Sequence, residues 1–433
     1  MDRITLKPFE KPFQETITPP GSKSLTNRAL IVAALADGES KLSNVLFADD
    51  TEVMIEGLRA LGFELKTDPK KGTVRLKGRA GEVPADKADI SCGNSGTTIR
   101  FLTALCALGG GAYRLDGNER MRERPIAELV MLLEELGVSV RYEAAIGYPP
   151  VVVEGSGLRG GSAHFPSAHS SQYLSAVLMA SPYATETDVI IELGPGQTSW
   201  PYAEMTVRLM ALFGVNAWVA HDPADGRPAQ VRVQRVGYTA RTYTVEPDAS
   251  SATYFMAAAA VRPGASVRIT GLGENSLQGD VAFAQVLAQM GASVEMAPDA
   301  ITVRGPNELS GLDIDMAPMP DAAMTLAAIS VFAYGPTTIR GLHTWRVKET
   351  DRLAALQAEL RKLGAGAEIA GDTLRIDPPE AVQPAEIETY NDHRMAMSFG
   401  AVGTRAAGIT IVNPDCVRKT YPDFFRDLQK LRG

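Results

Sequence analysis

Apolar residues along this chain fall into two kinds of run. The first is nearly continuous, rich in alanine, and preceded by small polar residues: GSKSLTNRALIVAALADG, GNSGTTIRFLTALCALGG, SAHSSQYLSAVLMASP, DASSATYFMAAAAVRPG, PDAAMTLAAISVFAYG and NDHRMAMSFGAVGTRAAG. Each predicts a buried helix, apolar on nearly all sides, with its polar cluster at the N-terminus. The second kind ends in Leu, Met or Phe followed by glycine: LRALGFEL (Gly62), LLEELGVSV (Gly137), MALFGVNAW (Gly214), LAQMGASVEM (Gly291) and LRKLGAGAEI (Gly364). The intervals between these glycines are 75, 77, 77 and 73 residues. A fixed period marks a repeated supersecondary unit, and one this long holds more than a helix pair. Between the two helices lie β-rich stretches such as KLSNVLF, SVRITGL, TTIRGL and GITIVN. Strand pairs such as ELKTDPKKGTVRLKG and SVEMAPDAITVRG follow the second helix. Each unit reads β-α-β-α-β-β, with six openings and a truncated last unit. The N-terminal RITLKPF and ETITPP supply strands that complete a unit.

The fold class is therefore α/β of the α+β type, with three units per domain and sheets enclosing three buried helices. Proline precedes a unit opening at PPGSK and again at VEPDASS. This places one domain at 22–246 and the other at 1–21 plus 247–433, with a two-strand hinge near 20–22 and 246–248. Helix N-termini carry unpaired N–H groups and the positive end of the helix dipole. Three parallel helices would aim them at the interdomain cleft and make an anion site there.

Composition narrows the ligand. A length of 433 residues suits two domains, and 45% hydrophobic with 22% charged residues suits a soluble protein. No apolar run reaches the ~18 residues of a membrane span, and MDRITLKPFEK has no signal-peptide core. Cys92, Cys106 and Cys416 are too few for a disulfide framework, so the expected compartment is the reducing cytoplasm. A net charge of −8 argues against a nucleic-acid partner. Basic clusters in such a chain are local and point to a small anionic ligand.

Those clusters sit at the unit openings. The first has Lys23 and Arg28, the second Arg100 and then RMRERP with Arg120, Arg122 and Arg124. The fifth unit carries WRVKETDR, where Lys348 and Arg352 are four apart and would share one face of a helix beside Glu349. The sixth opens with NDHRMAM (His393, Arg394), followed by VRKTYPD with Lys419. Each has a plainer reading: WRVKETDR as a solvated helix face, His393 as a structural histidine, RMRERP as a charged loop. Ser170, Ser171 and Gln172 could simply cap a helix, and Asp321 could be an N-cap. Their recurrence at equivalent points of a repeat favours a shared site. PPGSKS lacks the G-x-x-x-x-G-K-[ST] spacing of a P-loop. No metal constellation, G-x-G-x-x-G or G-x-S-x-G is present. The implied chemistry is acid–base work on anionic organic substrates, with no metal and no cofactor.

PGSKSLTNRAL, GNSGTTIR, RMRERPI, SSQYLSA, SWPY, DASSATYF, NSLQGD, PDAAMT, WRVKETDRL, YNDHRMAM and KTYPDFF, in this order over nearly the whole chain, resemble the 5-enolpyruvylshikimate-3-phosphate synthase family of enolpyruvyl transferases. The resemblance implies a two-domain inside-out α/β barrel. It also implies transfer of the enolpyruvyl group of phosphoenolpyruvate to the 5-hydroxyl of shikimate 3-phosphate, with phosphate leaving, by addition and elimination through a tetrahedral intermediate. By that pattern Lys23 contacts both substrates and stabilises developing charge. Ser24, Arg28, Ser170, Ser171, Gln172, Ser199, Tyr202, Asp321, Thr344 and Lys348 hold shikimate 3-phosphate. Asn94, Gly96, Arg124, Gln172, Arg352, Arg394 and Lys419 hold phosphoenolpyruvate. Asp321 takes the 5-hydroxyl proton, Glu349 moves protons at the methylene carbon, and His393 joins them among the catalytic residues.

Two positions depart from the family: Thr344 stands where asparagine is common, and Phe101 where many members have proline. Glyphosate, which competes with phosphoenolpyruvate in that family, is an expected inhibitor because Gly96 is retained. A monomer without membrane partners is the expectation. Two alternatives stand beside this reading: the sister transferase acting on UDP-N-acetylglucosamine, which uses a cysteine where this chain has GNERMRERP, and a non-catalytic anion-binding repeat protein.

Overall fold

Twelve α-helices lie among the described residues, 2–166, 170–195 and 199–432, of this computed structural model. In chain order they are α1 (Lys23–Leu35), α2 (Asp49–Ala60), α3 (Gly96–Cys106), α4 (Ala127–Glu135), α5 (Ser171–Ala180), α6 (Trp200–Leu212), α7 (Ala249–Ala260), α8 (Phe283–Gln289), α9 (Ala323–Ile329), α10 (Arg352–Lys362), α11 (His393–Gly403) and α12 (Phe424–Lys430). The odd-numbered helices are the six alanine-rich runs. Every residue of α3, α7, α9 and α11 is buried, as the lack of any polar face demands.

The helices α2, α4, α6, α8 and α10 end on the periodic glycines, and the reason is conformational. Gly62, Gly137, Gly214, Gly291 and Gly364 have φ of 84°, 91°, 90°, 105° and 86°. The left-handed residue lets the amides just past α2 turn back, with Gly62 N–H donating to Arg59 O at 2.9 Å and Phe63 N–H to Leu58 O at 3.1 Å. Glycine is the residue that reaches this region without Cβ strain, so the period of the repeat is a period of helix stops.

The chain divides into two compact units, Gly21–Val245 and Met1–Pro20 with Glu246–Gly433. In the first, three four-stranded sheets share one plan: a parallel outer strand, then two antiparallel pairings. They comprise Thr242–Thr244, Asp37–Ser43, Thr73–Arg79 and Glu64–Asp68; Lys87–Ser91, Ala112–Asp116, Val151–Glu154 and Ser139–Tyr142; and Gly161–Phe165, Val189–Leu193, Pro228–Val233 and Ala217–His221. The last strand closes on the first sheet, with Thr242 opposite Lys41.

The other unit repeats the plan. Gln14–Ile17 runs parallel to Ser266–Thr270, with Gln14 opposite Ser266, and so completes the fourth sheet. Asp313–Asp315 begins the fifth sheet, parallel to Thr337–Arg340. The sixth has three strands: Ala385–Ile387 parallel to Ile409–Val412, and Arg3–Thr5 antiparallel to the latter. Each sheet buries one face against a core in which α1, α3 and α5, or α7, α9 and α11, pack on one another. None of the described helices is long and apolar enough to cross a membrane.

Candidate active site

In the unit 21–245 the polar openings cap helices and gather cations. Ser22 caps α1, its Oγ accepting Leu25 N–H at 3.4 Å, which places Lys23 at the first helical position. Lys23 Nζ lies 3.3 Å from Asp50 Oδ2, in the first turn of α2; the two side chains are 12% and 6% exposed. Arg28, one turn on, is fully buried. It donates from Nε to Thr206 Oγ1 at 2.7 Å, from Nη1 to Ser24 O at 3.0 Å, and from Nη2 to Ser175 Oγ and Tyr202 O, each at 3.2 Å. Its guanidinium sits over the Phe101 ring, 5.1 Å from the centroid. Burial pushes its pKa down to about 9, because neutral acceptors and a ring face replace water but no carboxylate is among its partners. Phe101, the first departure from the family pattern, thus lies beneath a desolvated cation.

Ser95 caps α3, accepting Thr98 N–H at 3.4 Å. Arg124 Nη1 donates to Asn94 O at 3.2 Å and lies 3.5 Å from Asn94 Oδ1. Its guanidinium lies against Gly96 so closely that a Cβ there would stand 2.6 Å from Nη2. Asn94, Gly96 and Arg124 are therefore one cluster. Gly96→Ala should displace the guanidinium and weaken anion binding at this cluster by about tenfold, the loss of roughly one charged hydrogen bond. Calorimetric titration of the variant and the wild type with inorganic phosphate checks this.

Ser170 caps α5, accepting Gln172 N–H at 3.3 Å and Arg100 Nη1 at 3.2 Å. Gln172 Oε1 accepts from Arg100 at 2.6 Å and its Nε2 donates to Thr97 Oγ1 at 3.2 Å. Arg100 also stacks on Tyr173, 4.8 Å from the ring centroid. The caps of α3 and α5 are thus bound together through a residue with no assigned role in the sequence reading. Ser171 is buried beside Ser170. Ser199 precedes α6 with φ of 56°, and Tyr202 follows in its first turn. Residues 167–169, which open the third unit's polar cluster, lie outside the described residues.

The arginines of RMRERP separate by role. Arg122 grips Asp116 with two bonds, Nε to Oδ1 at 3.0 Å and Nη2 to Oδ2 at 2.6 Å; Arg114 adds a third at 2.9 Å. Arg120 pairs with Glu123 at 2.7 Å. Arg124 is the one that meets Asn94 and Gly96. The Arg122 hydrogen bonds hold the Asp116 carboxyl down at about 2, against the opposing effect of burial. A carboxylate held below its unfolded value stabilises above that value, and the contribution is lost as pH falls toward the folded one. The stability difference between wild type and Asp116→Asn, by urea unfolding, should be full at pH 6 and shrink from about pH 4 toward 2.

In the other unit the charges converge on Arg352. It is 1% exposed and spreads its guanidinium over three carboxylates: Nε to Asp392 Oδ2 at 2.8 Å, Nη1 to Asp321 Oδ1 at 2.8 Å and Nη2 to Glu349 Oε2 at 2.9 Å. Arg394 donates from Nη2 to Asp321 Oδ2 at 2.8 Å and from Nη1 to the Tyr254 hydroxyl at 3.2 Å. Lys419 Nζ lies 3.3 Å from Glu349 Oε1. Burial opposes the Arg352 charge, yet the Asp392, Glu349 and Asp321 carboxylates outweigh it and hold the guanidinium above its ordinary pKa. Asp392 also caps α11, accepting Arg394 N–H at 2.9 Å. His393 is fully buried, its Nδ1 3.5 Å from Asp392 Oδ1.

Two local expectations are corrected here. Residues His343–Val347 form a 3₁₀ turn, and α10 begins only at Arg352, capped by Asp351. Lys348 and Arg352 therefore do not share a helix face; the chain is extended at Lys348, and Arg352 turns inward to the carboxylates. Asp321 is not an N-cap: Ala322 holds that position of α9, and the Asp321 carboxylate is taken by Arg352 and Arg394. Thr344 is 1% exposed, and its hydroxyl has no hydrogen-bond partner among the described residues. Asp392 and Asp50 are the charged site residues that the sequence reading passed over, while Arg100 was placed at a unit opening without a role; Asp392 had a visible signal, an Asp directly before an apolar helix in NDHRMAM.

The comparisons with known proteins show the family. The family model described as EPSP synthase (3-phosphoshikimate 1-carboxyvinyltransferase) matches residues 9–428. A protein of Nostoc punctiforme named 3-phosphoshikimate 1-carboxyvinyltransferase is 47% identical over 425 residues, 98% of each chain. One from Trichormus variabilis with the same name is 44% identical over the full length of both. A solved EPSP synthase from Acinetobacter baumannii superposes with a TM-score of 0.81 at 25% identity, covering 100% of this chain and 98% of that one. The enolpyruvyl transferase NikO from Streptomyces tendae shares the fold, with a TM-score of 0.76 at 20% identity over 99% and 97% of the two chains. With a family match over nearly its whole length and near-half identity to named relatives, this chain belongs to the EPSP synthase (3-phosphoshikimate 1-carboxyvinyltransferase) family.

Proposed function

We infer that this enzyme transfers the enolpyruvyl group of phosphoenolpyruvate to the 5-hydroxyl of shikimate 3-phosphate, releasing phosphate. The observation that carries this beyond family membership is the Arg352 cluster. Two carboxylates, Asp321 and Glu349, are held there against three cations, Arg352, Arg394 and Lys419. Such cations suit the phosphate and carboxylate of phosphoenolpyruvate, because an arginine fork meets either group with paired hydrogen bonds. Arg124, with Asn94 and Gly96, and Lys23 and Gln172 complete the proposed phosphoenolpyruvate set. Ser24, Arg28, Ser170, Ser171, Ser199, Tyr202, Thr344 and Lys348 are assigned to shikimate 3-phosphate, together with Lys23, Gln172 and Asp321. The whole set lies in one chain, so a monomer suffices.

The cluster also supports an order of events. A substrate oxyanion arriving at Arg352, Arg394 and Lys419 competes with Asp321 and Glu349 for the same N–H groups. Binding then frees Asp321 to act as a base and Glu349 to carry a proton as the acid. Asp321 takes the proton of the 5-hydroxyl as the hydroxyl oxygen bonds to C2 of phosphoenolpyruvate, while protonated Glu349 delivers its proton to the methylene carbon. Loss of phosphate from the tetrahedral adduct then returns a methyl proton to Glu349, and the enolpyruvyl ether remains. His393, buried beside Asp392, is placed to hold that carboxylate. Glyphosate is the proposed competitor at the phosphoenolpyruvate cations.

The test exchanges the acceptor. Phosphate release from phosphoenolpyruvate is expected with shikimate 3-phosphate and not with UDP-N-acetylglucosamine; release with the sugar nucleotide alone would overturn the assignment.

A further inference from the structure

Two consecutive residues just before Asp392 have left-handed backbones: Tyr390 with φ of 52° and Asn391 with φ of 55°. For a residue as bulky as tyrosine this is a true outlier, and such conformations persist only where their surroundings impose them. The imposing group is Glu359, a wholly buried carboxylate on α10. Its Oε1 accepts the Tyr390 hydroxyl at 2.8 Å, and its Oε2 accepts Glu388 N–H at 3.1 Å and lies 2.7 Å from Lys362 Nζ. Lys362 Nζ also donates to Glu386 O at 3.1 Å.

Glu359 is seven residues after Arg352 on α10, two helical turns along the same face. That one face therefore holds the 386–392 segment at both ends: Arg352 binds Asp392, and Glu359 binds Tyr390 and Glu388. Thr389 Oγ1 donates to Asn413 O at 3.5 Å, on the residue that precedes the 3₁₀ turn bearing Lys419.

We propose that Glu359 and Tyr390 are positioning residues for phosphoenolpyruvate binding. The clamp fixes the left-handed turn, the turn fixes Asp392, and Asp392 sets the aim of the Arg352 guanidinium and the start of α11 with Arg394. This rests on the assignment of Arg352 and Arg394 to phosphoenolpyruvate. Neither clamp residue touches substrate. Their effect is therefore on the fit of one substrate and not on the chemical step.

Tyr390→Phe removes one hydroxyl from a side chain that is 43% exposed, so the variant should fold. Its KM for phosphoenolpyruvate should rise about tenfold, the scale of one hydrogen bond to a charged group. Its kcat and KM for shikimate 3-phosphate should stay within about twofold. Glu359→Gln keeps an acceptor for the hydroxyl and should recover most of the wild-type KM, whereas Glu359→Ala should not. A residue that merely stabilises the fold would lower the melting temperature and leave the two KM values in their wild-type ratio. That result, or an unchanged KM for phosphoenolpyruvate in folded Tyr390→Phe, overturns the clamp. Wild-type protein assayed in parallel separates the two levels: no turnover there refutes the reaction and the clamp with it, while normal turnover with an indifferent Tyr390→Phe refutes the clamp alone.

Discussion

Arg352→Met is expected to remove about 3–5 kcal/mol of unfolding free energy at neutral pH, the cost of leaving buried charges without their partner. Three carboxylates lose their common cation at once. Asp321 and Glu349 keep Arg394 and Lys419, but Asp392, fully buried, loses its charged guanidinium partner and keeps only neutral donors and His393. Urea unfolding measures the deficit. In whatever fraction folds, kcat/KM for phosphoenolpyruvate should fall by at least about 10²-fold, since charged hydrogen bonds contribute about 1.5–3 kcal/mol each. Arg352→Lys should restore little. An ammonium is one point of charge, and the site asks for a planar fork that meets three carboxylates in three directions.

Glu349→Gln is expected to lower kcat by about 10²–10⁴-fold, the usual contribution of a positioned acid–base group. The amide keeps the size of the side chain and can still accept from Arg352 or Lys419, so the fold and the KM for shikimate 3-phosphate should change little. Asp321→Asn should behave likewise if it receives the hydroxyl proton. Pre-steady-state quenching should find no tetrahedral adduct in either variant, because Asp321 and Glu349 each move a proton as the adduct forms. Unchanged phosphate release in both variants would favour an anion-binding protein over an enzyme.

The order of helices and strands was legible because each element leaves a local mark. Alanine-rich runs are too apolar to sit anywhere but inside, and the periodic glycines each supply a left-handed residue that a helix stop needs. The two N-terminal strands that complete distant sheets were also visible as unpaired β-rich segments. The pairing of charges was not legible. Arg352 meets Asp321 and Asp392 across 31 and 40 residues, and no local spacing encodes such a contact. Reading Lys348 and Arg352 as one helix face failed for a related reason: an N-cap at Asp351 ends the local pattern between them. The surroundings of Arg28, which keeps its proposed assignment to shikimate 3-phosphate, were not legible either. The structure surrounds it with two hydroxyls, two carbonyls and an aromatic ring, acceptors that carry no charge to reveal them. Tyr390 and Asn391 gave no signal at all, since nothing in their side chains demands a positive φ. The demand comes from Glu359 on another element.

The most direct measurement follows the product. The protein is mixed with phosphoenolpyruvate and shikimate 3-phosphate in the presence of a chelator, and the mixture is observed by phosphorus and proton NMR. The account predicts inorganic phosphate and the vinyl protons of an enolpyruvyl ether on shikimate 3-phosphate, formed in equal amounts. Unconsumed substrates, or phosphate released without the ether, would contradict it.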